Sequence, residues 1–372
     1  MTSLRIAMIG LRGLPPTWGG IERHVEQIGT RLVAQGHRVD AFCRPHYTTA
    51  TDPQHAGISL RAVPCPNVRG FETFIHSGLS SLATLGRKYD IVHFHAIGPG
   101  LFMPLPRYLS SARVVQTIHG MDNKRAKWGR GARAVLNSAL WVGGHTADRT
   151  ITVSETLARN FSADLGRESV YIPNGCPSVT PREPDLIRSR YGLQGSDYVL
   201  YVGRLVPEKA PHQLIQAFRS VPTEQRLVIV GGSSHTDDYE DYIRALAAED
   251  ERVIVTGYQY GDVLAEFFSN ASLYVQPSLL EGLPLTMLEA VAYERPIVAS
   301  DIGPHVEVLG DSGPGRHLVS AGDQAGLAEA IGLMLEDPDK TQLGGRQLAA
   351  EIRPRYDWDD IADRTEAVYL AA

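Results

Sequence analysis

Tyr171-Ile172-Pro173-Asn174-Gly175-Cys176-Pro177 stands where one pattern of segments stops and the same kind of pattern begins again. Its two prolines and its glycine read as a linker. Before it, apolar runs of strand length fall at Leu4–Gly10, Arg38–Phe42, Ile58–Val63, Asp90–His95, Arg113–His119 and Arg149–Val153. Among them, Ile21, Val25, Ile28 and Leu32 keep helical spacing, as do Leu79, Leu82 and Leu85. After the linker come Tyr198–Gly203, Arg226–Gly231, Arg252–Gly257, Ser272–Pro277 and Pro296–Ser300. These alternate with helical segments at Lys209–Arg219, Tyr239–Glu249, Gly261–Asn270, Leu285–Glu294 and Gln324–Leu335. Such alternation implies parallel sheets with helices on both faces, because a parallel connection needs a crossover of about a dozen residues or more.

The prediction is therefore α/β: two doubly wound, Rossmann-like domains, 1–176 and 177–355, facing a cleft. A last helix near Trp358–Leu370, within 356–372, is expected to cross back to the first domain. Open sheets of this kind bind ligands at the carboxyl ends of their strands, so a ligand is expected between the two domains. The length of 372 residues suits two domains, and 43% apolar with 21% charged residues is ordinary globular composition. Three cysteines (Cys43, Cys65, Cys176) without a CxxC pair exclude a disulfide framework and suit a reducing compartment. The first apolar run is too short for a signal peptide, and no apolar stretch reaches the roughly 18 residues of a membrane span. A cytoplasmic location is expected, with peripheral attachment to the inner face of the plasma membrane as an extension of it.

Net charge is uneven. Residues 1–176 hold 20 Lys+Arg and 11 Asp+Glu, a net +9, whereas residues 177–372 hold 16 and 31, a net −15. A basic half beside an acidic one points the basic half toward an anionic partner, or reflects only solvated surface charge. Within it, Lys124, Arg125, Lys127, Arg130 and Arg133 stand beside Trp128, Leu136, Leu140 and Trp141. That segment reads either as a contact with an anionic membrane surface or as a packed helix with a basic face.

Three turns carry chemistry. The first, Gly10-Leu-Arg12-Gly13-Leu-Pro15-Pro16-Thr-Trp18-Gly19-Gly20-Ile-Glu22, misses the GxGxxG spacing, which disfavours a nicotinamide dehydrogenase. Gly19-Gly20 at a helix start still lets an anion approach bare amides, or serves only the turn. In the second, Gly203-Arg204-Leu-Val-Pro207-Glu208-Lys209-Ala-Pro211, a guanidinium fork and a mobile ammonium flank a helix start. That pairing suits a diphosphate, unless both cations are merely solvated. The third runs Gln276-Pro277-Ser278-Leu-Leu-Glu281-Gly282-Leu283-Pro284-Leu285-Thr286-Met287-Leu288-Glu289. Two carboxylates across this loop-to-helix junction can accept hydrogen bonds from one polyol, and the amides of Gly282, Leu283, Pro284's successor Leu285 and their neighbours lie at the helix start.

Together these turns, with Thr117-Ile-His119-Gly120 and Ile172-Pro-Asn-Gly175, resemble retaining glycosyltransferases of the GT-B fold, in the large family numbered four. The likeness spans essentially the whole chain. The first glycine-rich turn, with Gly-Gly-Ile-Glu-Arg-His and Lys124-Arg125-Ala-Lys127-Trp128-Gly129, is similar to a subgroup that includes bacterial rhamnosyltransferases of surface-polysaccharide assembly. The resemblance implies that Arg204 and Lys209 hold a donor diphosphate, Glu281 the donor sugar and Glu289 the ribose. It puts Gly19 and Gly20 under the phosphate, His119 near the reacting face of the sugar, and Tyr258 beside the base. It implies a nucleotide-diphosphate sugar as donor, a glycan or lipid-linked acceptor, and no cofactor or metal. A nucleic-acid partner is not expected. Ala210 stands where the family commonly has glycine, a methyl expected to be tolerated.

His93, His95 and His119 all end first-domain strands, but a metal cluster is disfavoured because no carboxylate accompanies them. The lack of a Gly-x-Ser-x-Gly turn speaks against a serine triad. A sugar-nucleotide epimerase or phosphorylase of the same fold is the alternative reading.

Overall fold

The computed structural model describes residues 3–16, 19–48, 52–66, 72–124, 128–233 and 237–372. They form two compact units, Met1–Asn174 with Trp358–Ala372, and Gly175–Asp357.

The first unit is built on eight strands: β1 (Arg5–Ile9), β2 (Arg38–Cys43), β3 (Gln54–His55), β4 (Ile58–Ala62), β5 (Ile91–His95), β6 (Arg113–Ile118), β7 (Arg149–Thr152) and β8 (Val170–Tyr171). Their spatial order is β3-β4-β2-β1-β5-β6-β7-β8, and every pair is parallel except the short β3–β4 hairpin. Helices α1 (Gly20–Ala34), α2 (Glu72–Leu85), α3 (Pro104–Leu109), α4 (Arg130–Thr146) and α5 (Glu155–Leu165) connect them.

The second unit orders its six parallel strands β11-β10-β9-β12-β13-β14. They are β9 (Tyr198–Val202), β10 (Arg226–Val230), β11 (Val253–Gly257), β12 (Leu273–Gln276), β13 (Ile297–Ser300) and β14 (Arg316–Val319). Its helices are α6 (Asp185–Tyr191), α7 (Pro211–Phe218), α8 (Asp237–Ala247), α9 (Gly261–Asn270), α10 (Leu285–Ala292), α11 (Gly303–Leu309), α12 (Gln324–Glu336) and α13 (Pro338–Ile352).

Central strands in both sheets are covered on two faces, which is why they read as unbroken apolar runs. Ile6 through Ile9 and Tyr198 through Leu200 have no exposed surface. In both sheets the order reverses beside the first strand, β1 or β9, so the strand ends there open where crossovers leave to opposite sides. Gly10, with φ +107°, lets β1 end against its neighbour: a Cβ there would lie 2.3 Å from the His95 carbonyl oxygen.

The chain closes on itself through helix α14 (Trp358–Leu370), which packs along α1. Arg31 bonds Asp359 at 2.6 Å and Gln35 bonds Asp363 at 2.6 Å. Val170 and Tyr171 prove to be the edge strand of the first sheet, so the connecting segment begins at Ile172. Pro284 precedes α10 as its N-cap residue. Among the described residues, no helix is long and apolar enough to cross a membrane.

Candidate active site

In the second unit, the ends of β9, β12 and β13 gather a network around Glu281. Its Oε1 accepts hydrogen bonds from Lys209 Nζ, from Gln276 Nε2 at 2.9 Å and from Ser278 Oγ at 2.8 Å. All three end on one oxygen; Oε2 has no hydrogen-bond partner among the described residues. Burial pushes the Glu281 pKa up, but the Lys209 ammonium and the hydrogen bonds from Lys209 and Ser278 outweigh it. The carboxyl therefore sits below its ordinary range. Ser300 at the end of β13 donates to the Ser278 carbonyl and so holds the loop. His305 Nδ1 donates to the Ser300 carbonyl oxygen at 2.8 Å, which leaves Nε2 as a buried acceptor with no partner. Burial lowers the His305 pKa to about 4, so the ring is neutral near pH 7.

Lys209 closes a 3-10 turn, Pro207–Lys209, and Ala210 follows at φ +51° before α7 begins. That left-handed conformation favours glycine, which explains why a methyl at this position is strained rather than neutral. Arg204 and Lys209 are both half-buried on this one loop. The loop is held from beneath by Gly231: with φ +149°, a Cβ there would lie 1.8 Å from the Gly203 carbonyl oxygen. Leu205 N donates to Gly232 O at 3.0 Å, completing the contact.

Glu289 is buried in α10, seven residues beyond Gly282, and the start of the helix lies between them. Tyr258, after β11, is 41% exposed, stacks on Tyr260 and donates to Ser233 O at 2.9 Å. The second sheet thus brings Arg204, Lys209, Glu281, Gly282, Leu283, Pro284, Leu285 and Glu289 to its carboxyl edge, with Tyr258 following the edge strand β11, beyond β10.

The first unit places a different chemistry at the equivalent strand ends. Rings of His24, His95 and His119 converge, with centroids 4.6 Å apart for His24–His119 and 5.5 Å for His95–His119. His95 Nδ1 and His119 Nε2 are 3.2 Å apart, and a ring nitrogen from each of the three lies within 4.8 Å of the others. His24 Nδ1 donates to Asn174 Oδ1 at 2.8 Å. His93 is not one of this trio: Tyr369 of α14 holds its Nδ1 at 2.6 Å and Thr117 its Nε2 at 2.7 Å. Burial lowers the pKa of His24 to about 4 and of His93 to about 3, and takes His95 and His119 well below the ordinary value. All four are neutral imidazoles at physiological pH, able to exchange hydrogen bonds with hydroxyls. Gly19 and Gly20 open α1 nearby in sequence, and Glu22 turns back there to accept from Arg12 N at 2.8 Å.

Sequence reasoning gives no role to Gly231-Gly232, Gln276, Ser278, His305 or His24, although it quotes Gln276, Ser278 and His24 within its turns. The paired glycines after an apolar run are a visible signal for the first; His24 stands one turn into a helix that a glycine pair opens. His305 gives no local sign, since only the fold brings it to Ser300. Of the cations proposed for membrane contact, Lys124 pairs with Asp164 at 3.2 Å, while Arg125 and Lys127 lie outside the described residues.

Two family models match the chain: "Glycosyltransferase Family 4" over residues 18–178 and "Glycosyl transferases group 1" over residues 185–346. The chain is 29% identical to a D-inositol 3-phosphate glycosyltransferase of Acidothermus cellulolyticus, covering 100% of this chain and 91% of that protein. It is also 29% identical to a glycogen synthase of Mycobacterium tuberculosis, covering 99% and 95%. Among solved structures, sucrose-phosphate synthase from Thermosynechococcus elongatus superposes with a TM-score of 0.82 at 24% identity, covering 99% and 98% of the two chains. Anabaena HepE in complex with UDP and glucose does so with a TM-score of 0.83 at 19% identity, covering 99% and 100%.

Proposed function

Because the chain belongs to the group 1 and family 4 glycosyltransferases, enzymes of GT-B fold, we propose that it moves a sugar, with retention, from a nucleotide-diphosphate donor to a hydroxyl of a glycan or lipid-linked acceptor. The observation that carries this reading is the Glu281 network: a buried, ionised carboxylate with one oxygen saturated and the other uncommitted, beside two cations at a strand edge. Glu281 Oε2 accepts from donor-sugar hydroxyls. Arg204 and Lys209, with the amides of Gly282, Leu283 and Leu285, neutralise the leaving diphosphate, an electrostatic effect worth about 3 kcal/mol per group in comparable sites. Glu289 takes the ribose and Tyr258 lies beside the base. Within the first unit, Gly19 and Gly20 offer helix-start amides to an anion, and His119 is a neutral hydrogen-bonding group for hydroxyls.

In the transfer step, the bond from the anomeric carbon to the phosphate oxygen breaks and the bond to the acceptor oxygen forms on the same face. The acceptor proton passes to the departing phosphate. No metal is needed, because the cations and amides carry the charge. HepE is described with UDP and glucose, which supports a UDP-hexose; the rhamnosyltransferase likeness of the first turn puts dTDP-rhamnose beside it. Surface-polysaccharide assembly is the setting this implies.

A thermal-shift panel of nucleotide sugars tests the reading. One donor should raise the melting temperature, since ligand at about 100 times its Kd adds about 2.7 kcal/mol. Arg204→Ala should abolish that rise. A flat response to every nucleotide sugar would overturn the proposal.

A further inference from the structure

His24 enters from α1, His95 ends β5 and His119 follows β6, so three separate stretches of chain deliver one imidazole each to the same corner. β5 and β6 are neighbours in the sheet, and after His95 the chain turns through Ala96, whose φ of +73° is left-handed without a glycine. Such strain persists only where the surroundings fix it. His24 and His95 are 2% and 1% exposed, while His119 keeps some surface open to solvent. Among the described residues, this is the one group of three His, Cys, Asp or Glu side chains placed to hold a metal ion.

The hydrogen bonds within the corner do not close. His24 Nδ1 donates to Asn174 Oδ1, so His24 Nε2 carries a bare lone pair, and it is buried with no partner. His95 Nε2 is buried without one as well. Unpaired buried polar atoms are costly, and two in one cluster ask for a ligand. His95 Nδ1 and His119 Nε2 stand 3.2 Å apart. Two nitrogens bound tetrahedrally to one zinc ion, at about 2.0–2.1 Å each, lie about 3.3 Å from one another. A hydrogen bond between the rings explains that pair alone and leaves His24 Nε2 unexplained. The ligand atoms of all three rings already lie within 4.8 Å of one another.

Asn174 does for His24 what outer-shell carbonyls do at metal sites: it holds the tautomer and the ring plane. Three imidazoles bind zinc without a carboxylate, which removes the objection raised from sequence. The trio also differs from the one weighed there, since His24 replaces His93. His93 instead packs on His95, ring centroids 4.2 Å apart, with both its nitrogens taken by Tyr369 and Thr117. Burial keeps the three ligand rings neutral near pH 7, the form that binds metal.

We propose that His24, His95 and His119 form a reversible zinc site, with water in the fourth position. Imidazole suits zinc better than it suits magnesium or manganese, which prefer oxygen. Three protein ligands leave the fourth position exchangeable, unlike a closed structural site. The consequence, which rests on the proposed sugar transfer, is inhibition: a ring that binds zinc no longer serves hydroxyls. The ion is a brake and not a cofactor, so zinc-free enzyme keeps its turnover in EDTA.

The test follows zinc on the full chain by competition with a chromophoric chelator, with no nucleotide sugar present. Wild type should take one zinc per chain from the chelator, and its melting temperature should rise. Cobalt(II) in place of zinc should give the intense visible absorption of a four- or five-coordinate ion. His24→Gln and His119→Gln should each abolish tight uptake, with folding checked by circular dichroism. Asn174→Ala keeps all three rings and should weaken binding about 10–100-fold. The proposal falls if wild type leaves zinc on the chelator, or if cobalt(II) shows only the weak absorption of a six-coordinate ion. It falls too if His119→Gln, the variant at the least buried ring, binds as wild type does, which would assign the zinc to surface histidines. Saturating zinc should also slow transfer; tight binding with undiminished turnover removes His119 from the transfer reading and leaves the zinc site standing.

Discussion

The strand ends of the two units are the same place in two similar sheets, yet they hold opposite chemistry. The first unit, within the basic half of the chain, gathers neutral histidines there. The second, in the acidic half, gathers an ammonium and an ionised carboxylate. Net charge and site charge therefore run in contrary directions: the cations suited to a diphosphate lie in the unit with the acidic surface. Topology fixes where a ligand meets a sheet, and a few side chains from different strands fix what the ligand is.

The sharpest way to break this contrast is to discharge the second unit's site. Lys209→Ala should lower turnover, read as nucleoside-diphosphate release, by about tenfold to a thousandfold. It should also destabilise the unit by about 3–5 kcal/mol, since Glu281 is left buried without its counter-ion. Lys209→Met with Glu281→Gln should recover most of the stability and none of the turnover, and recovery of both would remove the site from the chemistry.

Acid tests the other side. Below pH 6.5 the unfolded chain takes up protons on His24 and His93 that the folded unit refuses until about pH 4 and 3. Stability is therefore full above pH 6.5 and falls as pH drops through that window, by about 1.4 kcal/mol per unit of depression for each ring. His76, lowered to about 4, adds to this, whereas His305 is the one strongly depressed imidazole described in the second unit. All four tryptophans (Trp18, Trp128, Trp141 and Trp358) belong to the first unit. Tryptophan fluorescence should accordingly change at higher pH than circular dichroism, which reports both units. Coincident transitions would contradict the contrast.

A smaller effect sharpens the account of the phosphate loop. Ala210→Gly should stabilise by about 0.5–1 kcal/mol in chemical denaturation, because relief at positive φ exceeds the entropy that glycine adds to the unfolded chain. The smallest expected effect is none: excess EDTA should leave turnover unchanged. Loss that a divalent ion restores would transfer the chemistry to His24, His95 and His119 and reverse the comparison.

The long apolar strands and the glutamate pair are legible in the sequence because their signals are local. β9 announces itself as Tyr198-Val-Leu-Tyr-Val202, and Glu281 and Glu289 share one short stretch. β8 has only two residues and β14 reads Arg316-His-Leu-Val319, so neither stands out as an apolar run. Helix α13 carries two glycines and no clear stripe. The histidine cluster is half legible: His95 and His119 end predicted strands, but His24 arrives from a helix, and His93, its ring 4.2 Å from that of His95, has one nitrogen taken by Tyr369, some 276 residues later. No window along the chain contains that exchange.

The same bond sets an order of events during synthesis. The first unit ends at Asn174, but Trp358–Leu370 belongs to it, and Tyr369 and Trp358 touch His93 and His24. A ribosome adding about 5–20 residues per second needs roughly 10–40 s to make the intervening second unit. Throughout that interval α1 lacks its cover and His93 one of its two partners. The emerging first unit is then a nascent intermediate, open to chaperones, and the histidine site is completed only after Trp358–Leu370 leaves the exit tunnel.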